Sequence, residues 1–514
     1  MLSTYLTRFL FASVVLLALI IPVTMHAEPI DFSQVDPADH TYEDWYLDSV
    51  EGQPAGYWHA SLTVKDGRLV SVYDEYSVES HGGEQSTYTY RVVWTETTDF
   101  KPIQVVVTSA AGSDEVQKTY RFVDDGIELT SEQNGRSIQR KLPPIQGKFL
   151  TAAQASIATD LYLQRGDDSF EFMTLDFNVG LTPFRNMYKR QAEKTTVKLA
   201  DGKEAKAQVW SATYSVFPGF ETEYWINELS EIVGLSYEVD GVKFDSRLAD
   251  ASVAEMAFDP PEMSGLSVVV PDRPIDHVNR QRRIVYELHY KSGDSNIVPV
   301  TTAQQAVKPM GKGKARVTVD LDAKPGSPKS DRPGPEHLAN SIMVDHKDEV
   351  VSKLAKRAVA GLDADVDTTT IATTCKRYVT RHLTGVSLSV GDGSASQAAR
   401  TREGDCTEAS VLLAALLRAN GIPSRCVNGL VYSEDEFVGQ EDVFVYHMWT
   451  QAWIGGEDGK GYWLDLDSAM WRYSAGHIAL GVSAMGDEDQ QDLAEIVPLQ
   501  QDLEIKVIET CVED

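Results

Sequence analysis

Cys406, His447 and Asp467 follow one another in the last quarter of the chain, each in a different kind of local sequence. Cys406 stands in Gly404-Asp405-Cys406-Thr407-Glu408, just before an apolar run of helical spacing. His447 lies in an alternating stretch over residues 443–454, and Asp467 ends Tyr462-Trp463-Leu464-Asp465-Leu466-Asp467. A thiol, an imidazole and a carboxylate are the nucleophile, base and orienting group that acyl transfer through cysteine requires.

Local sequence sharpens each position. Asp405 is a favoured N-cap, and Glu408, three residues on, completes a capping box. The helix then runs through residues 411–417 and ends near Asn420-Gly421, with Pro423 just beyond. Cys406 falls at the first helical position, where unpaired N–H groups and the positive end of the dipole favour a thiolate. The same N–H groups can hold an oxyanion. Strand alternation puts His447, Trp449, Gln451 and Trp453 on one face, with Met448, Ala452 and Ile454 on the other. Asp465 and Asp467 share a face, so periodicity does not say which of them orients the imidazole. Taken singly, each residue has an ordinary structural explanation; their joint order in one compact region favours a reactive site.

The elements around these residues divide the chain. Residues 42–258 are strand-rich, with alternating or β-branched and aromatic runs at 56–64, 86–94, 103–108, 117–123, 208–214 and 221–226. Asp66-Gly67, Asp125-Gly126, Asn134-Gly135, Asp201-Gly202 and Asp240-Gly241 are tight-turn signals between them. A more mixed stretch lies near residues 150–165. The expectation is a β-rich N-terminal domain over 28–262, a curved antiparallel sheet wrapped around a helix. A shorter β segment follows over 263–322, and a linker rich in proline and glycine occupies 323–335. The period then changes. Residues 350–360 and 371–383 carry helical spacing and precede the Cys406 helix, and strands are expected at 424–432, 443–454, 462–466 and 503–510. Helices followed by an antiparallel sheet predict an α+β C-terminal domain over 336–514.

Composition bounds the function. Among 514 residues, 42% are hydrophobic and 24% charged, which is globular composition for a chain long enough to hold several domains. The net charge of −30 argues against nucleic acid or an anionic membrane as partner. Arg8, the apolar residues 9–23 and Ala27 read as a secretory signal peptide over residues 1–27, too short for a full membrane span. The expected location is therefore periplasmic or extracellular. Four cysteines are too few for a disulfide scaffold. If Cys406 works as a thiol, Cys375 with Cys511 is the first pair to test, and Cys426 reads as a buried small side chain.

The stretches Arg402-Glu403-Gly404-Asp405-Cys406-Thr407-Glu408, Leu416-Leu417-Arg418-Ala419-Asn420-Gly421-Ile422-Pro423, Tyr446-His447-Met448-Trp449 and Trp463-Leu464-Asp465-Leu466-Asp467-Ser468 closely resemble the bacterial transglutaminase-like superfamily. The resemblance covers roughly residues 335–500. It implies a cysteine-protease-like core fold and maps nucleophile, base and orienting carboxylate onto Cys406, His447 and Asp467. Where the family has Asp-Pro-Thr, this chain has Asp467-Ser468-Ala469, which leaves room for Asp465. The segment 476–480 resembles the family's closing strand. The implied activity is attack on protein or peptide amides through a thioester, by hydrolysis or acyl transfer, with no cofactor. The resemblance is specific for fold and triad and unspecific for reaction, because the superfamily also holds inactive members. The alternative is a binding or scaffold protein with a silent domain. Trp449 and Trp463, with Trp453 and Trp471, either line a substrate tunnel or belong to the core. Residues 311–315 lack the spacing of a phosphate loop, and the chain has neither a His-Glu-x-x-His nor a Cys-x-x-Cys motif for zinc. The acidic residues 486–492 read as a solvated loop rather than a calcium site.

Overall fold

The computed structural model describes residues 27–512 apart from 82–83, 112–113, 134, 178–179, 217–219, 240–241, 262–267, 291–298, 312, 324–330, 364, 386–392, 436–439, 456–460, 471 and 487–502. The expected signal peptide, Asn134, the turn at 240–241, most of the linker, Trp471 and most of the acidic loop lie outside the described residues. The chain forms two compact units that divide between residues 263 and 264.

The first unit is one antiparallel sheet of fourteen strands with a helix against its inner face. Strands β1 (Tyr42–Val50), β2 (Gln53–Lys65), β3 (Arg68–His81), β4 (Glu84–Thr97), β5 (Pro102–Ala111), β6 (Asp114–Val123), β7 (Gly126–Gln133) and β8 (Arg136–Leu142) form one meander. Helix α1 (Ala152–Arg165) follows, and β9 (Ser169–Asp176), β10 (Gly180–Lys198), β11 (Glu204–Tyr214), β12 (Thr222–Asn227), β13 (Ile232–Val239) and β14 (Val242–Ala249) form a second. The two join where β1 pairs with β14. The mixed stretch near 150–165 is thus a helix, set by the Thr151–Gln154 capping box and stopped by Gly166 in the left-handed conformation. Its Ala153 and Ile157 pack on Leu62, Leu69 and Phe100 of the inner face.

Among its described residues the second unit holds two sheets and four α-helices. Among the described residues, β15 (Val268–Val269), β20 (Val443–Gly455), β19 (Ser424–Ser433) and β22 (His477–Ser483) lie in that order, with β21 (Gly461–Leu466) also on β20. The other sheet orders β17 (Gln305–Gly311), β18 (Lys314–Asp320), β16 (Gln281–Tyr290) and β23 (Leu503–Val512). The tail strand β23 therefore completes a sheet begun in the segment 263–322. Helices α2 (Glu349–Val359), α3 (Thr368–His382), α4 (Ala395–Thr401) and α5 (Cys406–Ala419) follow the linker. Helix α5 is buried nearly throughout, with Leu412 and Leu416 packed among Leu354, Val379, Met448 and Ala452. The architecture is an antiparallel β-rich N-terminal region followed by an α+β C-terminal domain.

All four cysteines are free thiols, which corrects the expected Cys375–Cys511 pair: Cys375 lies in the helical core, and Cys511 is exposed on β23. Burial pushes the thiols of Cys375 and Cys426 up to about 12, so both stay protonated and inert at neutral pH. Among the described residues no helix is long and apolar enough to cross a membrane.

Because Leu412 has no exposed surface in this core, Leu412→Ala should lower the unfolding free energy of the C-terminal unit by about 3 kcal/mol, as buried Leu→Ala changes do. Urea denaturation followed by tryptophan fluorescence checks this; a loss below about 1 kcal/mol would mean that α5 is not the core helix.

Candidate active site

Cys406 is the first residue of α5, held by its neighbours on both sides. Asp405 caps the helix by accepting from the Thr407 N–H at 2.7 Å. Glu408 reaches back to accept from the Asp405 N–H at 3.0 Å, and its other oxygen accepts from the Gly393 N–H at 3.0 Å. Burial, reinforced by the Asp405 charge, pushes the Glu408 carboxyl well above its ordinary range. Glu408 is thus a clasp that joins the approach loop to the start of the helix. Gly404 is required here: its φ is +154°, and a Cβ at this position would lie 2.4 Å from the Cβ of Glu408.

His447 sits in the middle of β20 and is 5% exposed. Opposite it on β19 is Gly429, where a Cβ would fall 2.1 Å from the Ile478 carbonyl oxygen and 2.8 Å from the Trp449 ring. A side chain at 429 would force apart the strands that set the imidazole. Ser410 clips helix to strand: its hydroxyl donates to the Met448 carbonyl at 2.9 Å, and its carbonyl accepts from Thr450 Oγ1 at 2.9 Å. These two bonds hold the first turn of α5 against the segment that carries His447.

The imidazole bridges two groups. Its Nε2 lies 2.8 Å from Asp467 Oδ2. The Cys406 thiol is its other hydrogen-bonding partner, which falls to Nδ1. Asp467 Oδ1 accepts from the N–H groups of Ala469 at 3.0 Å and Met470 at 2.8 Å, so both carboxylate oxygens are occupied. Ser468 Oγ donates to the Ala409 carbonyl at 2.9 Å, which ties the carboxylate's own strand end to the Cys406 helix. The departure from Asp-Pro-Thr therefore supplies a strut of its own.

Asp465 takes no part in this line. Its Oδ1 accepts from Trp449 Nε1 at 2.8 Å and Gln451 Nε2 at 2.7 Å. Gln451 in turn accepts from Arg425, which pairs with Asp331 and lies over the Trp463 ring at 4.2 Å. Trp449 and Trp463, expected to meet substrate, have no exposed surface. Trp449 packs between His447 and His477, with centroids at 6.2 and 5.2 Å, and Trp463 packs on Trp453 and His337. Both are packed into the interior, Trp449 among Val427, Ala479 and Tyr473.

A second imidazole was not singled out from the sequence. His477 Nε2 lies 3.0 Å from the same Asp467 oxygen that binds His447. Its Nδ1 accepts from the Ser474 N–H at 3.2 Å. The only available signal was a histidine at the start of the segment 476–480, and pairing with a residue so near in sequence has no periodic signature.

Electrostatics separate the two rings. Burial works to lower the pKa of His447, but the charge and hydrogen bond of Asp467, with Cys406 behind them, raise it to about 10. His477 is lowered: burial disfavours its charge, and the His447 cation opposes a second one beside it. One carboxylate thus supports one imidazolium, and His477 stays a neutral donor. Asp467 is held well below the usual carboxylate range, because both rings together outweigh its burial. His447, Asp467 and His477 also place three metal-ligating atoms within 4.8 Å of one another. A divalent ion would fit this group only by displacing the protons that now bridge it.

Comparison with known proteins bears on this half of the chain. Residues 352–468 match the transglutaminase-like superfamily, so the chain carries a transglutaminase-like domain that includes Cys406, His447 and Asp467. Among proteins of curated function, none matches the sequence. Solved structures give remote likenesses. The β-barrel-like protein of a domain of unknown function from Brucella abortus is 7% identical, with 41% of this chain and 96% of that one covered at a TM-score of 0.29. The periplasmic domain of TgpA from Pseudomonas aeruginosa is 16% identical, with 41% and 76% covered at a TM-score of 0.27.

The charged pair predicts a pH signature of stability. An unfolded histidine titrates near pH 6.5, whereas His447 holds its proton to about 10. Its contribution is complete below about pH 6.5 and is lost as the pH rises towards 10, whereas that of Asp467 is lost as the pH falls below about 4. Denaturant titrations at about pH 6 and pH 9.5 should show a fall in wild-type stability that is largely absent in Asp467→Asn. Equal falls in the two proteins would contradict the pair.

Proposed function

Starting from the transglutaminase-like domain, we propose that this protein is an exported cysteine enzyme that acts on protein or peptide amides through a thioester. The reading is carried by one observation: the Cys406 thiol meets an imidazole whose far nitrogen is fixed 2.8 Å from a buried carboxylate. Export rests on Arg8 and the apolar residues 9–23 that precede Ala27.

In the first step Cys406 Sγ, its proton held by His447, attacks the carbonyl carbon of a carboxamide or peptide. The tetrahedral oxyanion faces the end of α5. There Asp405 engages the N–H groups of the next residues, and the Cys406 N–H, at the first helical position, would donate to the substrate oxygen. Such a donor contributes about 10²-fold or more to acyl transfer. The C–N bond then breaks as His447 gives its proton to the leaving amine. Water or a primary amine attacks the thioester carbon, returns a proton to His447, and releases an acid or a new amide. Both outcomes share the thioester and differ only in what enters after the amine has left. Asp467 keeps Nδ1 turned towards sulfur throughout, and His477 keeps Asp467 from turning away.

Incubation with a glutamine-bearing peptide, with and without a primary amine, separates the outcomes: ammonia release in both mixtures indicates hydrolysis, and amine incorporation indicates transfer. Cys406→Ala should abolish either while leaving the melting temperature within about 2 °C of wild type. Iodoacetamide at about pH 6 should alkylate Cys406 rapidly, and His447→Gln should slow this at least about tenfold, because the imidazolium then no longer stabilises the thiolate. A wild-type protein that is neither alkylated at that pH nor active would instead be a binding protein with a silent domain.

A further inference from the structure

The inner face of the N-terminal sheet changes character along its strands. Near α1 it is apolar, with Leu62, Leu69 and Phe100 packed on the helix. Farther along β3 the same face presents Ser71, Tyr73, Glu75, Ser77 and Glu79, the alternate residues of the strand. The helix fills one end of the interior, and the other end is lined with hydroxyl and carboxyl groups.

Register brings three of these polar groups together. Asp48 on β1 lies opposite Gly56 on β2, and Gly56 lies opposite Ser77 on β3. Gly56 adds no side chain, so Asp48 and Ser77 face each other across it. In the adjoining row Trp58, Glu75 and Tyr90 are cross-strand neighbours. Asp48 Oδ1 accepts from Ser246 Oγ at 2.5 Å, and Glu75 Oε2 accepts from Tyr73 Oη at 3.1 Å. Two further groups lack partners: Glu75 Oε1 and Ser77 Oγ are buried without a hydrogen bond. Glu75 is 4% exposed and Ser77 5% exposed, so bulk water does not satisfy them. Leaving such groups unmade is costly, by about 1–3 kcal/mol each for neutral polar groups.

The charged groups acting on Glu75 are Asp48, Glu79 and Asp176, all acidic. Burial first, and then this acidic company, push Glu75 well above its ordinary range, and burial pushes Asp48 up to about 7. Among the described residues neither carboxyl is in an ion pair, and both have acidic neighbours. Asp48 and Tyr73 keep some exposed surface. The flanking rings of Trp58, Tyr73 and Tyr90 offer negative π faces to a positive group.

We propose that this interior, centred on Asp48, Glu75 and Ser77, is a binding site for an organic ammonium ion. The carboxylates would neutralise the charge, Ser77 Oγ and Glu75 Oε1 would accept from N–H groups, and the rings would receive the alkyl surface. A neutral polyol would gain the hydrogen bonds but not the charge, and a small hard cation would leave the aromatic faces unused. This site holds whether or not Cys406 turns over.

Isothermal titration of the full chain with butylamine, ethanolamine and cadaverine, all protonated ammonium ions with N–H groups at about pH 7.5, tests it at low salt. Saturable one-to-one binding is expected for at least one of the three, weakened at least about tenfold by Glu75→Gln and by Asp48→Asn and retained in Cys406→Ala. Melting temperatures report whether the amide variants fold. If they do not, the wild type alone decides through cadaverine against pentane-1,5-diol, its uncharged counterpart, which should bind at least about tenfold more weakly. No saturable heat with any cation, unchanged affinity in folded variants, or equal binding of the diol would overturn the proposal.

Discussion

The Asp467 carboxylate is the point on which the C-terminal domain turns. One of its oxygens receives two imidazoles and the other receives two backbone N–H groups. A buried carboxylate is tolerated only when its charge is answered from several directions, and here all its accepting capacity towards the protein is used. The consequence is unequal treatment of two similar rings. His447, which also meets the Cys406 thiol, is favoured as a cation; His477, against Ser474, is kept neutral. One cation beside one anion is the stable count in so dry a site, and it leaves the proton on the ring that faces sulfur.

Around that pair the fold works mainly to prevent movement. Glu408 and Asp405 fix where α5 begins, and the Ser410 and Ser468 hydroxyls tie that helix to β20 and to the residue after Asp467. A chain of bonds from Asp331 through Arg425 and Gln451 to Asp465 fixes Trp449, which stacks on the His447 ring and meets His477 edge-on. Each bond contributes about 1 kcal/mol or so to stability, but together they set directions, and direction governs proton transfer between groups already in contact.

Much of this was legible in the sequence because it is local. The capping box at Asp405–Glu408, the alternation around His447 and the apolar run of α5 all declare themselves within a dozen residues, and the β-rich reading of residues 42–258 rests on alternating, β-branched and aromatic runs punctuated by turn signals. What escaped depends on register between distant strands. Asp465 and Asp467 share a face, so only the pairing of β20 with β21 decides that the former serves Trp449 and the latter His447. His477 becomes a partner of Asp467 only because β22 adds to β19. Trp449 and Trp463 were candidates for substrate contact on composition alone, and tertiary packing buries them. Residues 150–165 read only as a mixed stretch because the apolar stripe of α1 is weak; the structure shows its Thr151–Gln154 capping box, and the linker's end is tied down by Asp331, whose partner Arg425 lies far along the chain.

The two units illustrate two uses of buried carboxyl groups. In the C-terminal domain the acid is matched by cations and donors and is driven down; on the inner face of the N-terminal sheet the acids are gathered without such partners and are driven up. The central claim concerns the first case and can be read directly by nitrogen NMR of histidine-labelled protein across pH 5 to 11. The account predicts that both nitrogens of His447 stay protonated until about pH 10, while His477 shows the neutral Nε2–H form over the whole neutral range. A His447 resonance that titrates near pH 6.5, or a His477 that carries the charge in its place, would contradict it.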